Sequence, residues 1–199
     1  RYVGNPSIQS VGELLDSNAK LCDTARPYIA LLPGSRAAEI ARNLPIMCRA
    51  IDLLPAPWRA VIAGAPSIDP AHYTPYLSER IELVTDETLP LLAGASAALV
   101  TAGCLARWAF DHILPIRYFS LVNLIAESPV VEELLGDAVT AQRLVQALTP
   151  LLDRESTAYQ TQQAQYRMVR QRLEPSRVAS QVAAERIYHE LSTQWESEA

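Results

Sequence analysis

The residues best equipped for chemistry lie in one short turn, Gly34-Ser35-Arg36, just after Pro33. An apolar run ends just before the turn, and a helical pattern starts just after it. A glycine there lets the backbone approach a ligand closely. Ser35 offers a hydroxyl and stands where it could cap the helix. Free N–H groups and the dipole at a helix start favour an anion. Arg36 adds a planar, always-charged fork that suits a phosphate. Together these residues fit phosphate binding. No lysine of the P-loop kind follows, so the same residues equally describe a tight strand-to-helix turn with a capped helix.

A second candidate is "AGAPSIDP", where Gly64 and Pro66 close another apolar run; read locally, it is a turn. A third is "FSLVNLIAESPVVEELLGD", in which Asn123 interrupts an apolar run and Glu127, Glu132 and Glu133 follow. An amide and a carboxylate can read ribose hydroxyls or a base edge; alone they also fit a turn and a solvated helix face. His72, His112 and His189 are scattered and have no serine–acid partners in reach, which argues against a hydrolase triad or a zinc site. Cys22, Cys48 and Cys104 have neither metal spacing nor a disulfide framework, so thiols in a reducing compartment are expected. No residue stands out as a catalytic acid or base, and no metal or cofactor is expected.

The elements that must position these residues alternate. "YIALL" (Tyr28 to Leu32), "RAVIAG" (Arg59 to Gly64), "IELVT" (Ile81 to Thr85) and "AALVT" (Ala97 to Thr101) read as buried strands. Between the first two, Ile40, Leu44, Met47, Ile51 and Leu54 recur at helical spacing. Pro45 interrupts that helix and predicts a kink, or a short helix ahead of the main one. "PSIDPAHYTPYLS" reads as a loop with a short helix, and "TLPLLAGA" as a brief helix. Such alternation predicts an α/β fold, a Rossmann-like parallel sheet with helices on both faces, and ligands beyond the carboxyl ends of the strands. Further on, "CLARWAFDHIL" reads as helix and "IRYFSL" as a strand or extended segment. "SPVVEELL", "AQRLVQALTPLLD" and the polar "STAYQTQQAQYRMVRQRL" read as helices. After Pro175, Val178, Val182, Ala183, Ile187 and Leu191 form the apolar stripe of a last helix, expected to pack on the core.

Composition bounds the function. With 199 residues, 49% apolar and 20% charged, the chain can bury a real core. A net charge of −5, with scattered arginines and Lys20 as the sole lysine, argues against a nucleic-acid partner. No segment is long and apolar enough for a membrane span, and no signal peptide is visible. The chain begins with Arg1 in mid-pattern, which reads as a piece of a longer protein.

Five segments, in this order, carry a resemblance: "YVGNP" (Tyr2 to Pro6), "IALLPGSRAAEIARNLP" (Ile29 to Pro45), "VIAGAPSIDP" (Val61 to Pro70), "AALVTAG" (Ala97 to Gly103) and "FSLVNLIAESPVVEELL" (Phe119 to Leu135). They resemble the lipid-A-disaccharide synthases, glycosyltransferases of the GT-B fold, over nearly the whole chain. The resemblance implies transfer of a diacylglucosamine from UDP to a diacylglucosamine 1-phosphate acceptor, giving the lipid A disaccharide precursor. It implies that Gly34, Ser35, Arg36 and Glu39 line the donor diphosphate. Gly64, Asn123, Glu132 and Glu133 would serve the nucleotide. It further implies a UDP-sugar-binding Rossmann-like domain over residues 1–154 with helices over 155–199. The catalytic base would lie in an amino-terminal half outside this chain, leaving the chain inactive by itself. The expected setting is cytoplasmic and peripheral to the inner membrane through lipid substrates, with a homodimer as a candidate assembly.

Two departures stand out. After "VTAG" the family continues with a glycine–threonine-rich turn, a helix and another strand. Here Gly103 meets Cys104 directly, and about two dozen residues, roughly one helical crossover with its strand, have no counterpart. The expectation is a break in numbering, with the alpha carbons of Gly103 and Cys104 well beyond ~3.8 Å. Gly136 stands where the family often carries glutamine, so no side-chain contact carries over there. Two other readings compete: another UDP-N-acetylglucosamine-type enzyme of this fold (a transferase or 2-epimerase), and a non-catalytic nucleotide-binding or assembly module.

Overall fold

The four apolar runs form the strands expected of them: β1 (Tyr28–Leu32), β2 (Arg59–Gly64), β3 (Ile81–Thr85) and β4 (Ala97–Val100). A computed structural model describes residues 27–101, 117–173 and 184–188. The strands pair in parallel in the order β3-β2-β1-β4. The chain thus steps outward from β1 to β3, then crosses back to lay β4 on the other flank of β1. Its direction reverses between β1 and β4. In open α/β sheets the crevice outside the carboxyl ends of two such strands is where ligands bind. Here the two ends are tied together, since the N–H and the hydroxyl of Thr101 both donate to the Leu32 carbonyl, at 3.1 and 3.2 Å.

The period of two along β1 sorts its side chains to two cores. Ile29 and Leu31 join Ile40, Leu44, Met47 and Ile51 of α1 (Ala37–Leu53), the helix that follows β1. Tyr28 and Ala30 face the other way, against Val61, Ala63 and Leu91. Leu91 belongs to α2 (Thr88–Gly94), and its carbonyl accepts the Tyr28 hydroxyl at 2.7 Å. Burial of each large aliphatic side chain is worth roughly 1.5–3 kcal/mol, so α1 is held by its apolar stripe more than by helix propensity. Burial of Cys48 on that stripe, with the nearby charge of Asp52, pushes its thiol up to about 11. The carboxyl-terminal part adds α3 (Leu121–Ala126), α4 (Ala141–Leu152), which packs on α1, and α5 (Thr157–Leu173).

Several sequence readings are corrected. Pro45 lies inside one continuous 17-residue helix, so no separate short helix precedes the main one. The central strands are covered on both faces, but β3 and β4 at the edges are only partly buried. The loop after β2 holds two 3-10 turns, Pro70–His72 and Thr74–Tyr76. "IRYFSL" forms no strand in its described part, where Leu121 opens α3. "SPVVEELL" forms no helix: Glu127 takes φ 56 and ends α3, and the backbone beyond it bonds to side chains instead. "CLARWAFDHIL", the Gly103–Cys104 junction, Cys22, Cys104 and most of the final stripe lie outside the described residues. Residues 184–188 are helical. The chain divides into two compact units, Lys20–Gln165 and Arg1–Ala19 with Tyr166–Ala199, so the division falls inside α5.

Candidate functional site

The turn after β1 is built around a glycine that has no substitute. Gly34 takes φ +117, and a β-carbon there would sit 2.5 Å from Glu39 Oε2 and 2.7 Å from Glu39 Cβ. This sharp turn shifts the helix start by one residue, so Arg36, not Ser35, occupies the N-cap position, and no side chain caps it. The capping role expected of Ser35 is therefore not what it performs. Instead Glu39 reaches back from the first helical turn. Its Oε2 accepts the Ser35 N–H at 3.1 Å, and its Oε1 accepts Arg36 Nη1 at 2.9 Å. The Arg36 side chain is 75% exposed, that of Glu39 only 13%. A recessed carboxylate thus holds an exposed guanidinium beside the amino end of α1. The first-turn N–H groups of Ala37 and Ala38 have no intrahelical acceptor. Asn43, which the sequence reading passed over, pins the turn from below, donating from Nδ2 to the Pro33 carbonyl at 3.1 Å.

The second group lies around α3. Asn123 is buried, and its amide is fully used: Oδ1 accepts the N–H of Val130 and of Val131, both at 2.8 Å, while Nδ2 donates to the Val131 carbonyl and to Glu133 Oε1, also at 2.8 Å. Glu133 closes the amino end of α3. Its Oε1 accepts the Ser120 N–H at 2.7 Å and its Oε2 the Phe119 N–H at 2.9 Å. Burial alone would raise this carboxyl, but the Ser120 and Phe119 N–H groups, the Ser120 hydroxyl and the Asn123 amide outweigh it and hold the pKa below the usual carboxylate value. Asn123 and Glu133 therefore fix the path of residues 119–133, and Oε1 has no capacity left for a ligand. Gln162 of α5 braces the same loop by donating to the Val130 carbonyl at 3.0 Å.

The remaining candidates are dispersed. Gly64 ends β2 at the same carboxyl edge as the Gly34 turn, because β1 and β2 are parallel neighbours. A β-carbon on Gly64 would meet Thr85 Cγ2 at 2.9 Å and Leu83 Cδ1 at 3.0 Å, so packing alone accounts for this glycine. Beyond it, Tyr73 accepts the Ala65 N–H at 3.0 Å and anchors the loop. Glu132 is surface-exposed and pairs with Arg143 at 3.2 Å. Gly136 takes φ 61 and opens a 3-10 turn. A cleft of about 280 Å³ lies at the opposite, amino edge of the sheet, lined by Pro27, Trp58, Ser96 and Arg154 among others. It is separate from the Gly34 turn. Among the described residues, no group of three or more His, Cys, Asp or Glu side chains could hold a metal ion.

Comparison with known proteins bears on both groups. The family model described as lipid-A-disaccharide synthetase matches residues 102–188, the part that contains α3 and its loop. Relatives match a larger share of the chain. A lipid-A-disaccharide synthase of Anaeromyxobacter sp. (strain K) is 30% identical over 217 residues, taking in 92% of this chain and 56% of that protein. The chain belongs to the lipid-A-disaccharide synthase family. Lipid-A-disaccharide synthases of Myxococcus xanthus (strain DK1622) and Pseudomonas putida (strain W619) are 32% and 29% identical, over 73% and 76% of this chain. The chain spans about half the length of these relatives, 46% and 48% of the last two. The Anaeromyxobacter alignment is longer than the 199 residues of this chain while using only part of them, so that relative carries residues with no counterpart here.

Proposed function

We propose that this chain is the donor-binding part of a lipid-A-disaccharide synthase. In the complete enzyme, the bond from C1 of a 2,3-diacylglucosamine to the UDP phosphate breaks. A new bond forms from that carbon to the 6-hydroxyl oxygen of a diacylglucosamine 1-phosphate acceptor. The hydroxyl proton passes to a base supplied from outside this chain, which is why the chain alone is inactive. UDP leaves with the negative charge. One observation carries this reading. A glycine turn at positive φ, the amino end of a 17-residue helix and an exposed arginine coincide where the sheet order reverses. That combination suits a diphosphate.

Gly34, Ser35, Arg36 and Glu39 serve the diphosphate: Arg36 by direct contact, Glu39 by aiming Arg36. Gly64, Asn123, Glu132 and Glu133 serve the nucleoside side, Gly64 through the close packing of the end of β2, and Asn123 and Glu133 through the shape of their loop. Residues 1–154 make the nucleotide domain and 155–199 its helical extension. The enzyme works on the cytoplasmic side of the inner membrane, as a peripheral protein and a homodimer.

The test is Arg36→Ala in the full-length enzyme. Charge on the diphosphate grows as the glycosidic bond breaks, so Arg36 acts on turnover more than on substrate affinity. Loss of one strong donor of this kind lowers turnover by roughly 10²- to 10³-fold. Arg36→Lys restores only part, because lysine keeps the charge and loses the fork. A folded Arg36→Ala enzyme with wild-type transfer from the UDP-activated donor removes Arg36 from the site.

A further inference from the structure

The peptide that joins Pro33 to Gly34 is gripped at its carbonyl and left open at its N–H. Asn43 lies one turn beyond Glu39 along the same face of α1. Its Nδ2 donates to the Pro33 carbonyl at 3.1 Å, the amide's one bond among the described residues. The carbonyl can only accept, so the nitrogen side of the amide has to face it. Glu39 holds the Ser35 N–H in the same way, at 3.1 Å. Side chains of α1 therefore grip the backbone just before and just after Gly34. Gly34 itself is half-buried, and its N–H has no acceptor among the described residues. The Pro33–Gly34 bond is trans. In a planar trans peptide the C=O and the N–H point in opposite directions. Fixing the Pro33 carbonyl on Asn43 thus also fixes the Gly34 N–H, directed away from Asn43.

We propose that Asn43 is a positioning residue of the donor site, whose hold on the Pro33 carbonyl aims the Gly34 N–H at the donor diphosphate. This rests on the donor-site reading above. Asn43 does not touch the donor; it acts through the peptide plane. A glycine is what makes such a device necessary. Gly34 takes φ +117, and glycine accepts either sign of φ, so this peptide plane could turn over at little cost. Turned over, it would present the Pro33 carbonyl to the diphosphate and repel it. The Asn43 bond selects the orientation that offers a donor. Arg36, 75% exposed, brings charge on a long side chain. The Gly34 N–H brings a fixed direction, and a donor already aimed needs no reorganisation when the anion arrives.

The experiment follows the Gly34 amide by NMR in the full 199-residue chain. Pro33-Gly34 is the one Pro-Gly pair in the sequence. Proline labelled at its carbonyl carbon and glycine labelled at nitrogen therefore give one carbonyl-filtered amide signal, that of Gly34. UDP should move this amide proton downfield, as a new bond to a phosphate oxygen does, and uridine should leave it in place. Asn43→Leu, close in size and without the donor, should abolish the downfield movement. It should also weaken UDP binding by about tenfold in isothermal titration, the scale of one hydrogen bond to a charged group. Circular dichroism checks that the variant is folded. A folded Asn43→Leu chain that keeps the downfield movement overturns the inference, whatever its stability, as does wild-type affinity for UDP. A wild-type Gly34 amide that stays in place while UDP binds overturns it without any variant and leaves the donor-site reading standing. A wild-type chain that binds no UDP fails the donor-site reading, and the inference falls with it.

Discussion

At the scale of single residues, the turn at Gly34 depends on what a glycine permits and what Glu39 occupies. Gly34→Ala has to bear both a positive φ and an overlap with the Glu39 side chain. The expected cost is roughly 1–3 kcal/mol, measured by urea denaturation, together with loss of the Ser35–Glu39 bond. A stability within a few tenths of wild type would mean that the turn relaxes freely. Glu39 has a second consequence. It neutralises part of the Arg36 charge while holding it in place, so Glu39→Gln should weaken UDP binding by mispositioning the guanidinium although it removes a negative charge. Tighter binding of UDP to Glu39→Gln would mean that plain electrostatics governs the turn. The glycine and the arginine stood out in the sequence because each has a type-specific use at a strand-to-helix turn; Glu39 was named only through the family resemblance, and its hold on Arg36 was not foreseen. The loss of Ser35 from the cap position was not, since it depends on a one-residue shift set by φ at Gly34.

At the scale of elements, the α3 loop is held by polar side chains where a helix was expected. Asn123 satisfies two N–H groups and a carbonyl, and Asn123→Ala leaves them without partners in a buried place. That should destabilise the chain by about 3 kcal/mol, at ~1–3 kcal/mol per orphaned group with partial relaxation, read from the shift in the urea midpoint. Glu133 adds a pH dependence. Its folded pKa lies below the ordinary 4.5, so it stabilises the native state fully above that value, and the contribution is lost as pH falls through the folded pKa. Glu133→Gln should lower stability at neutral pH and flatten the acid limb between pH 5 and 3, about the range of carboxylate titration. An unchanged acid limb would mean that Glu133 is not held by Phe119 and Ser120. Sequence patterning misread this segment for a physical reason. "SPVVEELL" has the composition of an amphipathic helix, yet its backbone groups at Val130 and Val131 are claimed by the side chains of Asn123, seven and eight residues before, and of Gln162 in α5. The strands were readable because β1 is apolar throughout and β2 is apolar after Arg59; Pro45 does not split α1 because burial of Ile40, Leu44, Met47 and Ile51 carries the helix past one missing hydrogen bond.

At the scale of the whole molecule, the sheet order matters more than any one side chain. The alternation of strands and helices foretold a parallel sheet, but the reversal between β1 and β4 is a property of the assembled topology and has no local signal. It is what singles out the Gly34 turn from the other strand ends, including Gly64, whose glycine is explained by packing. If the reversal point is the nucleotide site, ligand binding should stabilise the unit that contains the sheet. UDP at a hundred times its Kd should add about 2.7 kcal/mol. For a chain of this size that is a rise in Tm of roughly 5–10 °C, visible by calorimetry. Inorganic phosphate at the same concentration should produce much less. The most direct test of the account is isothermal titration of UDP into this chain and into its Arg36→Ala variant, with circular dichroism showing both folded. The account predicts one UDP bound per chain by the wild type and affinity reduced by about tenfold or more in the variant, the scale of one lost charge-assisted contact. Equal UDP affinity in the two folded proteins would contradict it.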